Sequence, residues 1–257
     1  MERAKMHKAE FAKVWNAFLN EGEPYMPLVR VDPNGKGTIC MEVAGDFPAQ
    51  ELALSFGEMM YQLRAALDSL VYEVAVIDSG QDPPPDAQKL EFPIRDSAAS
   101  FERAARKIAP LSEFHQAMVE SVQPYDIEER PKGHQVSAES LKELNDLARK
   151  DRHRGLRIVT AWVANKNPEV SLPPGCELEW IEVTPDGLLD RDGVIASFKI
   201  SNWEVGLEME GNPNCSIDVT VEDAAPPVSD EDTLDSRARM MLAVITLIIE
   251  GFEETLD

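Results

Sequence analysis

A charged pair stands inside an otherwise apolar helical pattern. Arg64 and Asp68 are four residues apart, so they share one face of the helix predicted for about residues 50–77. Both fall within a wide apolar arc of that helix. Because a charge stranded in a protein interior costs several kcal/mol, we expect Arg64 and Asp68 to be paired, with each other or with a residue of another helix.

A second charged segment, residues 149–154, reads Arg-Lys-Asp-Arg-His-Arg and follows Asn145 on another predicted helix. Asp151 and Arg154 lie three residues apart, one turn beyond the apolar packing edge. We predict that Asp151 or Arg154 meets the Arg64 pair across a helix–helix contact. Such a network would either fix the register of two helices or belong to a functional site. Perturbed charges do not distinguish the two, because structural ion-pair networks produce them as well as active sites do.

The composition is strongly acidic. The chain of 257 residues carries 47 acidic and 25 basic side chains, for a formal net charge of -22. This charge repels phosphate backbones on average and disfavours broad non-specific binding to nucleic acids. A local basic patch could still bind RNA, and segment 149–154 is the candidate. A role in solubility alone would also explain the acidity, because net charge affects solubility and does not determine the fold.

The sequence contains no standard motif for catalysis or for binding a cofactor. It has no Gly-rich phosphate loop, no nucleophile elbow and no His-Glu-x-x-His. A zinc site needs several convergent ligands, whereas the histidines of this chain lie in separate segments. They are His7, His115, His134 and His153. We therefore expect neither a metal nor a cofactor.

Cysteine usage and hydropathy predict a cytoplasmic protein without a membrane segment. Cys40, Cys176 and Cys215 are too widely spaced for a disulfide framework or a metal cluster, and free thiols fit a reducing compartment. The N-terminus lacks the apolar stretch that is typical of a signal peptide. The most apolar run, residues 240–249, is about half as long as a membrane span.

Hydrophobic periodicity predicts several helices and several strands. The long helix at about 50–77 has one apolar face and ends at Asp78-Ser79-Gly80. Further helices are predicted at about 3–20, 97–107, 111–122, 137–154 and 232–255, with Ser137 as the N-cap of helix 137–154. Extended segments separated by turn residues are 26–31, 38–43, 156–164, 176–183, 194–200 and 216–221.

These elements predict an α+β fold. A helical core built around the long helix would pack with an antiparallel sheet formed by the N-terminal hairpin and the C-terminal strands. We predict a single domain over residues 1–257, with a helical part at about 46–155, a β-rich part at about 156–222 and the C-terminal helix 232–255. A helical bundle with an appended β-domain is the competing arrangement.

Several short motifs resemble a widespread group of uncharacterised bacterial proteins. They are Leu-Arg-Ala-Ala-Leu-Asp-Ser-Leu-Val-Tyr at 63–72, Phe-Pro-Ile at 92–94, Gln-Pro-Tyr at 123–125, Leu144-Asn145, and Asp-Arg-His-Arg at 151–154. The resemblance covers about residues 40–155. That group is in turn similar to the HEPN superfamily of helical proteins, many of which are metal-independent ribonucleases of toxin–antitoxin and phage-defence systems. HEPN proteins carry an arginine and, a turn or two later, a histidine on one helix, and they commonly dimerise with these motifs face to face.

One position departs from the family motif. Arg64 matches the arginine, but Ser69 stands where the histidine is expected. A serine cannot replace imidazole as a general acid or base near neutral pH. The resemblance therefore implies a non-catalytic, degenerate HEPN-like interaction protein of a bacterial defence or toxin–antitoxin module, which acts with a protein partner or as a homodimer.

Two alternatives stay open. The first is a metal-independent endoribonuclease in which Arg64 holds the phosphate and His153 transfers the proton. The second is a small-ligand-binding α+β domain, which rests on architecture alone. The polar network predicted for the site consists of Arg64, Asp68, Ser69, Asn145, Asp151 and Arg154.

Overall fold

The computed structural model describes residues 1–20, 24–43, 46–129, 131–164, 167–184, 188–189, 193–222 and 233–256. The chain divides into two compact units by the packing of its Cα atoms. Unit 1 comprises Met1–Glu10, Leu54–Leu156 and Arg237–Asp257, and unit 2 comprises Phe11–Ala53 and Arg157–Ser236. The organisation of residues 1–257 as a single domain stays a prediction.

The α+β class is confirmed. The α-helices in the described residues are α1 (Glu2–Asn20), α2 (Ala49–Ser79), α3 (Ala98–Ala104), α4 (Glu113–Ser121), α5 (Lys132–Arg154) and α6 (Leu234–Glu253). The strands are β1 (Tyr25–Val31), β2 (Lys36–Val43), β3 (Ile158–Ala164), β4 (Glu169–Ser171), β5 (Glu177–Val183), β6 (Leu188–Leu189), β7 (Val194–Ser201), β8 (Glu210–Asn212) and β9 (Cys215–Val221). The first residue of the helix predicted at 232–255 lies outside the described residues.

Helix α2 follows its predicted apolar stripe closely. Its members at intervals of three or four residues are buried from Leu52 to Val74, whereas Ile77, the last predicted member, is half exposed. The helix ends as predicted, because Gly80 adopts a positive φ of 66° and donates its amide to the carbonyl of Val76. The long rigid helix thus carries Arg64 and Asp68 at fixed positions in unit 1.

Helix α5 begins five residues before the predicted N-cap Ser137. Pro131 is the N-cap, and its carbonyl accepts the amides of His134 and Gln135. Ser137 lies inside the helix, where its hydroxyl donates to the carbonyl of Gly133. The prediction was wrong because a glycine and a proline in this segment suggested a loop, while the fixed φ of proline suits the start of a helix.

In unit 2 the N-terminal hairpin joins C-terminal strands, as predicted. The largest sheet has the order β1-β2-β7-β5, and all its pairs are antiparallel. The remaining strands pair separately, in a three-stranded sheet β6-β3-β9 and a two-stranded sheet β4-β8. Ile39, Ala196, Phe198 and Ile200 form a fully buried cluster on the largest sheet. Burial largely alternates along β7, so one face of this strand packs on the core.

The β1–β2 turn depends on Gly35. The carboxylate of Asp32 accepts the amides of Asn34 and Lys36, and Gly35 adopts a φ of 79°. A Cβ added at Gly35 would overlap the backbone carbonyl oxygen of Ile200. Gly35 is therefore required both for its conformation and for the close approach of two backbone segments.

We expect Gly35→Ala to lower the free energy of unfolding by about 2–4 kcal/mol, because the strain of a positive φ adds to a backbone overlap. Gly80→Ala is the matched control, since Gly80 has a similar φ of 66° but no heavy atom within 4 Å of an added Cβ. It should cost only about 1 kcal/mol. Urea denaturation of both variants measures the difference, and equal losses would show that the overlap is relieved at no cost.

Candidate functional site

The Arg64 guanidinium of α2 is bound by the extended segment that precedes α3. Its Nη2 lies 3.6 Å from Asp68 Oδ1 and 3.7 Å from Glu91 Oε1, and it donates to the carbonyl oxygen of Phe92 at 3.1 Å. Asp68 Oδ1 accepts the Phe92 amide at 2.9 Å. The predicted pairing of Arg64 with Asp68 is thus present, and the pair also fixes the backbone at Phe92, which is fully buried.

Glu91 extends this network to a second element. Its carboxylate forms an ion pair with Lys107, which lies in the 3-10 turn directly after α3. The Glu91 amide donates to the Lys107 carbonyl at 3.4 Å. Arg64 on α2, Glu91 in the extended segment and Lys107 at the end of α3 are therefore linked by a continuous series of ionic contacts.

The pKa values at this network reflect burial and charge together. Burial lowers the pKa of the Arg64 guanidinium; the carboxylates of Asp68 and Glu91 oppose the shift, and the guanidinium groups of Arg152 and Arg95 add to it. Burial raises the pKa of Asp68, and Arg64 only partly offsets the effect. Burial acts to raise the pKa of Glu91 as well, but the hydrogen bond and charge of Lys107 hold it below its usual value.

Arg64 and Glu91 line a cavity of about 750 Å³ within unit 1. Among the described residues that line it, eight are basic and three are acidic, which gives the lining a formal charge of +5. The basic residues are Arg64, Arg95, Arg103, Arg106, Lys107, Lys142, Arg149 and Arg152, and the acidic residues are Glu91, Asp96 and Asp146. The cavity thus concentrates positive charge in a chain whose net charge is -22.

Most of these cations form no ion pair with another described residue. Within the part of the chain that the structure describes, five of the basic residues around the cavity form no ion pair; they are Arg95, Arg103, Arg106, Lys142 and Arg152. In addition, Arg64 Nη1 is buried and has no acceptor among the described residues. A buried donor without an acceptor costs about 1–3 kcal/mol. This arrangement favours binding of an anion over a purely structural role.

One face of α5 contributes the far wall of the cavity. Positions 142, 145, 146, 149 and 152 recur at helical spacing and all line it. This face carries Asn145 of the predicted polar network and Arg149 and Arg152 of the predicted RNA-binding segment 149–154. His153 shares this helical face, four residues after Arg149, but it is exposed and does not line the cavity. Arg154 is also exposed and does not line it.

The structure gives Arg64 other partners than the predicted Asp151 or Arg154. Its carboxylate partners are Asp68 and Glu91. Asp151 lies against α2 about two turns earlier, where a Cβ added at Gly57 would be 2.9 Å from its carboxylate. The two helices do meet, as expected, but with a different register. Ser69, at the position of the family histidine, is exposed and does not line the cavity.

Sequence reasoning missed the basic residues on the opposite wall. Arg103, Arg106 and Lys107 come from α3 and the turn after it, and Arg95 precedes that helix. A signal was present, because positions 106 and 107 lie three and four residues after position 103, on the same side of a helix. These residues line a cavity only because α5 lies opposite them, and the sequence does not indicate that arrangement.

No family model, curated protein or solved structure matches this chain. The resemblance to HEPN proteins therefore stays a prediction from short motifs.

Two further properties concern the described residues only. None of their helices combines the length and the hydropathy needed to span a membrane. No group of three or more histidine, cysteine, aspartate or glutamate side chains among them is arranged to hold a metal ion.

Substitutions at Asp68 separate its charge from its hydrogen bond. Asp68→Ala leaves the Phe92 amide without its acceptor, so we expect the free energy of unfolding to fall by about 2 kcal/mol. Asp68→Asn keeps an acceptor oxygen, and burial already disfavours the charge, so the loss should stay below about 1 kcal/mol. Urea denaturation at neutral pH measures both. Equal losses would mean that the charge beside Arg64, and not the hydrogen bond, holds the segment.

The lowered pKa of Glu91 predicts a pH-dependent contribution to stability. A carboxylate with a depressed folded-state pKa stabilises the fold above its unfolded pKa of about 4.3, and this contribution is lost as the pH falls through the lower folded value. We expect Glu91→Gln to destabilise the protein by about 1 kcal/mol at pH 7, and by progressively less below about pH 4. Urea denaturation across this range measures the effect, and a difference that does not change with pH would contradict it.

Proposed function

We propose that this protein binds a phosphate-bearing ligand in the cavity of unit 1 without converting it chemically. One observation carries the proposal, namely the eight lysine and arginine residues that surround about 750 Å³ with only three carboxylates. The volume lies within the range of about 300–1,000 Å³ that is usual for ligand sites. The sequence predicted a non-catalytic interaction protein, and the charge around the cavity supports a phosphate-bearing ligand.

The chemistry of the lining favours phosphate. A guanidinium group presents a planar fork of donors that matches the oxygens of a phosphoryl group, so arginine is enriched where phosphate is recognised. Six of the eight cations are arginines. Arg64 is close enough to Arg95 and Arg152 for their charges to lower its pKa. A bound anion would offset this mutual repulsion, and that relief would contribute to the affinity.

Two features support a role without catalysis. The described lining contains no histidine, and His153, the predicted proton-transfer residue, is not part of it. Of the carboxylates, Glu91 has a pKa below its usual value because of Lys107. A general base works best with a pKa near the working pH, so Glu91 is a weak base at neutral pH.

The sequence resemblance adds a broader proposal. On that basis we propose that the chain is a degenerate HEPN-like protein of the cytoplasm, which acts with a protein partner or as a homodimer in a bacterial defence or toxin–antitoxin module. RNA was predicted to bind through residues 149–154, and Arg149 and Arg152 of that segment line the cavity. Cleavage of RNA would instead support the alternative, an endoribonuclease that uses Arg64 and His153.

Titration calorimetry on the full chain tests the proposal, with tripolyphosphate and a short single-stranded RNA as separate probes. At least one probe should bind, more weakly as salt is added, because exposed charges are screened. The double variant Arg103→Gln/Arg152→Gln changes two exposed residues of the lining. It should weaken binding by about tenfold or more, which corresponds to about 1.4 kcal/mol.

Lys132→Gln is the matched control, because Lys132 is exposed in the first turn of α5 and does not line the cavity. It should change the affinity by less than about twofold. Absence of binding by every probe, or equal binding by the double variant, would overturn the proposal. The RNA should also be recovered intact, and cleavage that depends on Arg64 would replace a binding role by a catalytic one.

A further inference from the structure

Basic residues outnumber acidic ones around the cavity, although the chain as a whole is strongly acidic. The lining takes 8 of the 25 basic residues and 3 of the 47 acidic residues, which leaves 17 basic against 44 acidic residues elsewhere, a formal charge of -27. An extended polyanion that continues beyond the cavity would meet this negative surface and be repelled. An anion that ends within the cavity would meet only the formal charge of +5 of the lining.

The cations that line the cavity come from three separate elements. Arg64 comes from α2, Arg103 and Arg106 come from α3 and the turn after it, and Lys142 and Arg152 come from α5. Proteins that bind single-stranded nucleic acids instead follow the backbone along a basic groove. Convergence from three elements suits several phosphoryl groups held close together.

The lining offers no platform for bases. Its apolar members are Ile94, Ala104 and Pro124, and no aromatic side chain is among the described residues that line it. Single-stranded RNA is commonly recognised by stacking its bases on aromatic rings, which contributes about 1–3 kcal/mol per base. The chemistry of this cavity therefore recognises phosphate groups and not bases.

We infer, on the basis of the proposed function, that the ligand is a compact oligophosphate held wholly within the cavity, and not an RNA chain. Three linked phosphoryl groups carry about four to five negative charges near neutral pH, because each group loses one proton and a terminal group loses a second with a pKa of about 6. That charge matches the formal charge of +5 of the lining. Free oligophosphate and the phosphate end of a nucleoside triphosphate share this chemistry, and separate probes distinguish them.

Calorimetry on the full chain, without divalent cations, compares tripolyphosphate, adenosine triphosphate and a twelve-nucleotide RNA. We expect tripolyphosphate to bind at least about tenfold more tightly than the RNA. Without base stacking, adenosine triphosphate should bind within about threefold of tripolyphosphate. Much tighter binding of adenosine triphosphate would also support a compact ligand and would identify a nucleotide as its source.

Two variants connect the binding to the cavity. Arg103→Gln/Arg152→Gln should weaken the binding of tripolyphosphate by about tenfold or more. Asp96→Asn removes one of the three acidic charges of the lining at an exposed position, so it should tighten binding by about threefold. This second variant keeps the test meaningful if the double variant is unstable, because an unfolded protein cannot gain affinity. Unchanged affinity in Asp96→Asn would overturn the inference.

The outcomes separate this inference from the proposed function. Tighter binding of the RNA than of tripolyphosphate, lost in Arg103→Gln/Arg152→Gln, would overturn the compact ligand while the phosphate-binding function stands. If none of the three probes binds, both fall. Tripolyphosphate binding that Arg103→Gln/Arg152→Gln does not weaken would place the anion elsewhere and overturn both as well.

Discussion

The buried guanidinium of Arg64 is the constraint on which the site depends. A guanidinium cannot lose its charge in a protein, so burying it on α2 requires acceptors and counter-charges nearby. Asp68 on the same helix supplies one, and Glu91 and the Phe92 carbonyl supply the others. These contacts with Arg64 hold the extended segment before α3 against α2. Through Glu91 and Lys107 the same constraint fixes the end of α3, and with it one wall of the cavity.

The charge distribution shows that this arrangement is not optimised for stability alone. A network of two carboxylates would have been sufficient for Arg64, yet five further cations without ion pairs stand around the same cavity within the described part of the chain. Burial is the main cause of the lowered pKa of Arg64, and the charges of Arg152 and Arg95 lower it further. The gathering of these cations around one cavity is the physical ground for the proposed anion site.

Much of the fold was predictable from the sequence. The periodic apolar residues of α2 and the turn at Asp32–Gly35 produce local structure directly, so their bounds agree with the prediction within a few residues. The start of α5 was not predictable from the same rules, because Pro131 serves as the N-cap in a segment that resembles a loop. The division of the strands between sheets was not predictable either, since alternation determines which face of a strand is buried but not which strand lies beside it.

For the site, the sequence by itself placed Arg64 and Asp68 on one helical face and predicted that they are paired, because residues four apart on a helix are neighbours. It also placed Asn145 and the basic segment 149–154 on a second helix. Only the tertiary structure decided that Arg149 and Arg152 line the cavity while Asp151 and His153 do not, and that Arg95, Arg103 and Arg106 face them. The rotation of α5 relative to α2, and the position of α3, depend on packing between residues distant in sequence, which local spacing does not specify.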